Sequence, residues 1–362
     1  MTRTIGILGS GQLGRMIALS AASLGLRAHI YAPDAENSPA GDVAAATTTA
    51  SYEDEAALSE FAKSVDAVTS EFENVPSSAL ACLAQHLPQV SPSIKALDTA
   101  QDRLSEKSMA RQLGILTPDY WQIDSKSDLE NALHSLTGKG VLKTRRDGYD
   151  GKGQMRVASG DDSHVIWQEM GGKPLILESF VDFTTEVSFL IARDKDGLIT
   201  HFPATENHHE QGILAHSTAP ASLEEAIIAK GQKAITDIAH HLDLFGILAM
   251  ESFVNAQGDI IFNEIAPRPH NSFHWSIEGA NCSQFEQLAR IIAGLPMRQV
   301  TTTGQWRMEN LLGQHGPQIP TFQAMDDVAT HLYGKTEYKT GRKIGHITYA
   351  LSDSLDKSYK VV

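Results

Sequence analysis

"GILAMESFVNAQGDIIFNEIAPRPHN", residues 246–271, is the stretch on which the reading of this chain turns. Two apolar runs flank Gln257-Gly258, a dipeptide suited to a two-residue hairpin turn. Glu251 lies six residues before Gln257, and Glu264 six after Gly258. That register sets the two carboxylates opposite each other on one face of a strand pair. Like charges so placed are unfavourable unless a cation lies between them. Mg²⁺ suits the position, because it prefers carboxylates and bridges nucleotide phosphates. Asn263 would add an oxygen only if a bulge turned it to the same face. A solvated edge hairpin is the alternative, but Ala249, Met250, Phe253, Ile260, Ile261 and Phe262 give the pair a buried character.

Three further clusters gather around this hairpin. Just after it, "PRPHNSFHW" (267–275) collects Arg268, His270, Asn271 and His274. The prolines disfavour a helix, so His270 and His274 read as hydrogen-bonding groups for an anion or ring before they read as zinc ligands. Upstream, "VLKTRRDGYDGKGQMRV" (141–157) places Gly148, Gly151 and Gly153 between two extended runs, with Lys143 beside them. Such a hairpin can bend over a phosphate chain with its N–H groups inward. Downstream, "YGKTEYKTGRKIGHI" (333–347) holds Lys335, Lys339, Arg342 and Lys343. It is either a solvated basic turn or a pocket for a phosphorylated substrate.

At the other end, "ILGSGQLGRM" (7–16) spells G-x-G-x-x-G with Gly9, Gly11 and Gly14. A strand, Thr4–Leu8, precedes it and a helix, Gln12–Ser23, follows. The same turn serves NAD and any other ligand that needs backbone N–H groups at a helix N-terminus. Strands and helices alternate over residues 1–95, which implies a parallel sheet covered by helices. A long polar helix is expected over 94–113. Beyond residue 120 the strands are mixed, giving α+β units appended to an α/β one.

The 362 residues suit two or three domains. The net charge of −14, from 44 acidic and 30 basic residues, argues against a nucleic-acid partner. Cys82 and Cys282 lie far apart and suggest neither a disulfide framework nor a zinc site. No apolar run approaches a membrane span of roughly 18 residues. The first strand leaves no room for a signal peptide, so a cytoplasmic location is expected.

The quoted stretches, with "SEFENV" and "ENHHEQGIL", resemble the ATP-grasp enzymes, and more narrowly the 5-(carboxyamino)imidazole ribonucleotide synthases of purine biosynthesis. The likeness runs from residue 7 to 347. It implies a Rossmann-like domain (1–95), a connecting helix and ATP-grasp lid (96–180), a central ATP-grasp domain (181–295) and a small β-rich C-terminal domain (296–362). It also implies the chemistry: ATP, bicarbonate and 5-aminoimidazole ribonucleotide would give the N5-carboxylated ribonucleotide, ADP and phosphate, by way of carboxyphosphate. Mg²⁺, or Mn²⁺ in its place, would be held by Glu251 and Glu264. The ATP site would comprise Arg103, Lys143, Gly148, Tyr149, Asp150, Gly151, Lys152, Gly153, Gln154, Glu178, Val181, Glu186, His209, Asn263 and Glu264. Within it, Glu186 would take the ribose, and the Glu178 to Val181 backbone the adenine.

On the substrate side the likeness implies Gln12, Tyr149, Asp150, Lys152, Arg268, His270, Asn271, Lys335 and Arg342. Arg268 would steady bicarbonate, as a planar fork suits a planar anion. Lys143 would serve the transferring phosphate, and Asp150 would orient or deprotonate the amine. Members of the family are commonly dimers, which implies a homodimer. Other ATP-grasp ligases, of the glycinamide ribonucleotide or biotin-carboxylase type, would need other residues in place of "RPHNSFHW" and "GRKIGHI". An NAD oxidoreductase would want an acidic residue at the end of the second strand, whereas Asp34 lies beyond a proline. The glycine turn therefore reads as one wall of the substrate cleft, with Gln12 facing the ribonucleotide.

Overall fold

The computed structural model describes residues 3–146, 148 and 153–351. The chain begins with β1 (Thr4–Leu8), α1 (Gln12–Ser23), β2 (Arg27–Ala32), β3 (Ala46–Thr49), α2 (Glu55–Lys63), β4 (Ala67–Ser70) and α3 (Ser77–Ala84). The four strands form a parallel sheet in the order β3-β2-β1-β4. Ile5, Ile7 and Leu8 are buried on both faces of β1, as the centre of a helix-covered parallel sheet requires. The short edge strand β3, rich in threonine, carries too weak an alternation to be read from sequence.

The single helix expected over 94–113 is two helices, α4 (Ile94–Ala100) and α5 (Arg103–Gln112). Asp102 divides them. Its backbone is extended, and its carboxylate accepts the Leu104 N–H at 2.9 Å. The same carboxylate receives Arg145 at 2.6 Å. An N-cap and an ion pair from another sheet thus outweigh helix continuity.

Next come β5 (Tyr120–Ile123), α6 (Lys126–Ser135), β6 (Lys139–Thr144), β7 (Gln154–Ala158), α7 (Ser163–Glu169) and β8 (Leu175–Ser179). These strands form an antiparallel sheet, β5-β8-β6-β7, with its own core around Leu129, Leu142 and Leu177. The largest sheet takes β9 (Thr185–Arg193), β10 (Ile199–His201), β11 (Thr205–Glu210) and β12 (Ile213–Ala219). After α8 (Glu225–His241) it adds β13 (Gly246–Val254) and β14 (Ile260–Ala266). Then follow α9 (Ser276–Gly279), α10 (Gln284–Ile292), β15 (Gln305–Leu312), α11 (Ile319–Gln323), β16 (Ala329–Leu332) and β17 (Lys343–Leu351).

The order in this sheet is β14-β13-β9-β11-β12-β15-β17-β16, with β10 on β9. The last three strands therefore extend the central sheet. One apolar core joins the first sheet to it, running from Ile5 and Ile17 to Leu190, Trp275 and Leu288. That shared core sets the glycine turn beside the strands that carry Glu251 and Glu264.

Candidate active site

A cavity of about 560 Å³ lies where the sheets meet. Its nucleotide-side wall includes Arg103, Lys143, Gly148, Gln154, Glu186, His209, Glu251, Asn263 and Glu264. The opposite wall includes Gln12, Arg268, His270 and Asn271. Gly153 sits at positive φ where β7 begins, and Val181 lies between β8 and β9. Tyr149, Asp150, Gly151 and Lys152 fall outside the described residues. Lys335 and Arg342 stand on the segment joining β16 to β17 and are not among the residues that line the cavity. Tyr333 and Lys343, at its two ends, reach the cavity.

Glu251 pairs with Glu264 across β13 and β14, but the route there departs from a two-residue turn at Gln257-Gly258. The strands pair Val254 with Ile260, one residue out of that register, around a wider turn. Asn255 builds this turn by accepting the N–H groups of Gln257 and Asp259 on its side-chain oxygen. Between Glu251 and Ser252 the pairing jumps from Glu264 to Phe262. Asn263 is the extra residue of this bulge, which restores the register and turns Asn263 into the cavity beside Glu264.

The two carboxylates are held differently. Burial, with the Glu264 charge opposite, pushes Glu251 up to about 7. Burial acts on Glu264 too, but Arg103 donates to it at 2.6 Å and holds it down to about 2. His270 stands 3.3 Å from Glu251. Burial and the Arg268 charge lower His270 to about 3, so it stays neutral and brings no positive charge to Glu251. A half-buried carboxylate facing a fixed negative charge fits a divalent cation.

Beneath this pair lies an ion network. Lys143 donates to Glu178 at 3.0 Å, and Lys107 approaches the same carboxylate at 3.4 Å. Lys107 is fully buried, donates to the Asn263 carbonyl, and loses proton affinity through burial. Its neighbour Glu106 accepts the Ile265 N–H at 2.9 Å. The Glu178 side chain thus aims Lys143, while just beyond it the Ser179 and Phe180 N–H groups donate to the Asp119 and Lys139 carbonyls at 2.8 and 2.9 Å. Lys107 and Glu106 escaped the sequence reading, whereas Lys343 was read there as one of the basic run and lines the cavity. The i,i+4 spacing of Arg103 and Lys107 on one helix face was the available signal for Lys107.

On the other wall Arg268 pairs with Glu73, and Asn271 exchanges amide hydrogen bonds with Asn310 at 3.0 and 2.8 Å. His209 pairs with Glu186. His274 is fully buried, with Nδ1 held by the Gln284 amide at 3.0 Å. The glycine turn is filled from inside the protein. Glu71, at the end of β4, accepts the N–H groups of Gly11 at 2.7 Å and Gly14 at 2.9 Å. Asp34 is engaged by the Ser10 hydroxyl at 2.6 Å. The groups that hold pyrophosphate and ribose in a dinucleotide enzyme are therefore satisfied within the chain.

A Rossmann-like unit, a glycine-bearing antiparallel lid and opposed carboxylates on the central sheet define an ATP-grasp enzyme. The sequence matches the ATP-grasp domain over residues 108–285 and the ribonucleotide synthetase preATP-grasp domain over 1–101. It also matches the phosphoribosylaminoimidazole carboxylase C-terminal domain over 307–358. It is 43% identical, over 95% of both chains, to N5-carboxyaminoimidazole ribonucleotide synthase of Brucella melitensis. The solved synthetase from Thermus thermophilus superposes with TM-score 0.89 at 41% identity, over 96% of this chain and 93% of that one. The Aspergillus clavatus enzyme, solved with ADP and 5-aminoimidazole ribonucleotide, gives 0.88 at 30% identity, over 97% and 94%. The chain belongs to the N5-carboxyaminoimidazole ribonucleotide synthase family.

Proposed function

We propose that this chain carboxylates 5-aminoimidazole ribonucleotide at its exocyclic amine, consuming ATP and bicarbonate and releasing ADP and phosphate. The observation that carries the reading is the single cavity in which Lys143, Glu251 and Glu264 face Arg268, His270 and Asn271. Bicarbonate oxygen attacks the γ-phosphorus, ADP leaves, and carboxyphosphate forms. Carboxyphosphate collapses to CO₂ and phosphate, and the amine adds to CO₂ with loss of a proton.

Such a sequence asks the protein for positioning, charge neutralisation and exclusion of water. Lys143, steadied by Glu178, meets the transferring phosphate. Gly148 and Gln154, which line the cavity, meet the phosphates, and Glu186 with His209 takes the ribose. Arg268 holds bicarbonate and its phosphorylated product. Asp150 orients the amine, and Lys335 with Arg342 takes the 5′-phosphate. Glu251 and Glu264, with Asn263 beside them, would hold Mg²⁺, which supplies neutralisation of phosphate charge. We place the enzyme in the cytoplasm as a homodimer.

The test is ADP release with bicarbonate, run with and without the ribonucleotide. ADP formation should rise with the ribonucleotide and stop on chelation of divalent metal. Stimulation by glycine or biotin, with none by the ribonucleotide, would replace this substrate assignment with another.

A further inference from the structure

The three glycines of the N-terminal turn are fitted to a carboxylate of the chain itself. A Cβ on Gly9 would lie 2.4 Å from Glu71 Cγ, and one on Gly11 would lie 2.7 Å from Glu71 Oε1. Gly9 also sits at φ +111°, a region that side chains avoid. Gly11 and Gly14 then spend their N–H groups on the two oxygens of Glu71. The carboxylate thus sits at the N-terminus of α1, where an anion is favoured by dipole and donors alike.

This closure joins two parts of the substrate wall. On one side of it, Gln12 and Leu13 follow directly from the turn and line the cavity. On the other, Glu73 lies two residues beyond Glu71 and pairs with Arg268. The side-chain clamp therefore ties the loop that steers Arg268 to the turn that presents Gln12. Neither group belongs to the nucleotide wall.

The geometry points to Glu71 as a positioning residue for the ribonucleotide: a built-in anion that fills the phosphate seat of a dinucleotide turn and fixes Gln12 relative to Arg268. This rests on the function proposed above.

The test compares Glu71→Ala and Glu71→Gln with the native enzyme in the ADP-release assay. Losing charge-assisted hydrogen bonds should raise KM for the ribonucleotide about ten-fold or more. KM for ATP should stay within about two-fold, since uniform binding is lost on one wall only. Formate, at fixed bicarbonate, should restore much of the ribonucleotide KM of Glu71→Ala and leave the native KM unchanged. Gln keeps the volume but offers one acceptor oxygen, so it should shift KM in the same direction; it carries the test if the Ala variant does not fold. An unchanged ribonucleotide KM in the folded variants, a parallel rise for ATP, or no formate effect on folded Glu71→Ala would overturn the role. If the native enzyme shows no ribonucleotide-stimulated ADP release, the proposed function falls first and this role with it.

Discussion

Glu71 and Glu251 are acidic residues on the same cavity, but Glu71 meets two backbone N–H groups whereas Glu251 meets the Glu264 carboxylate. Burial raises the proton affinity of both. For Glu71 the amides of Gly14 and Gly11 and the Arg268 charge oppose that rise from within the chain. For Glu251 the next largest influence is a like charge, which adds to it. A carboxylate whose donors are built in belongs to the architecture. One that faces another carboxylate leaves room for a cation from outside. The same comparison separates the two glycine-rich turns: the first is closed by Glu71, while the lid hairpin leaves Gly148 and Gln154 lining the cavity.

Removing charge from the cation pair should give the largest effect. Glu264→Gln keeps the side chain's size and removes the charge that opposes Glu251. Metal stabilisation of transition-state charge is worth several kcal/mol, so turnover should fall about 10²- to 10³-fold or more. The melting transition should stay close to that of the native protein. Near-normal turnover at saturating Mg²⁺ would mean that this pair does not hold the ion, and the contrast with Glu71 would lose its meaning.

A smaller effect is expected at the basic segment. Replacing Lys335 and Arg342 together with Ala should raise KM for the ribonucleotide by about ten- to hundred-fold, the worth of a charge-assisted phosphate contact. KM for ATP should move little, because Lys143 and the lid hairpin belong to another sheet. Bicarbonate-dependent ATP hydrolysis without ribonucleotide should persist. ATP affinity lost with ribonucleotide affinity kept would assign the segment to the nucleotide, and make Lys343, inside the cavity, the residue to test next.

The sequence was most legible where periodicity and chemistry coincide. β1 and α1 fall at Thr4–Leu8 and Gln12–Ser23 as the pattern requires. The Glu251–Glu264 pairing was also readable, although it arises from a wider turn and a bulge that offset each other. A bulge leaves no composition signal, so Asn263 could be placed only conditionally. The roles of Glu71 and Lys107 were missed for a different reason, although helix spacing could have put Lys107 on the face of Arg103. Their roles depend on partners 57 to 60 and 71 residues away in sequence, Gly14 and Gly11 for the first and Glu178 for the second. Local spacing does not carry contacts of that range. The break between α4 and α5 was missed likewise, because Asp102 is fixed by Arg145 from the lid.

Asp102 supplies the smallest test, since it is a buried carboxylate satisfied within the chain by one guanidinium and one backbone amide together. Burial acts to raise its pKa, but hydrogen bonds from Arg145 and the Leu104 N–H, with the charges of Arg145 and Arg146, hold it below the ordinary 3.8. Asn can still cap α5, so Asp102→Asn removes the ion pair alone and should cost about 1–2 kcal/mol of stability. Asp102→Ala loses the cap as well, at about 1 kcal/mol more. The sign of the pH dependence follows from the lowered pKa. The unfolded chain takes up the proton first as pH falls, so the contribution is present above 3.8 and disappears as pH drops through the folded value. Urea titrations of native and Asn proteins should therefore differ at neutral pH and converge on the acid side. A gap that persists unchanged to the lowest pH at which both still fold would mean that Asp102 acts through its cap and packing, with no contribution from charge.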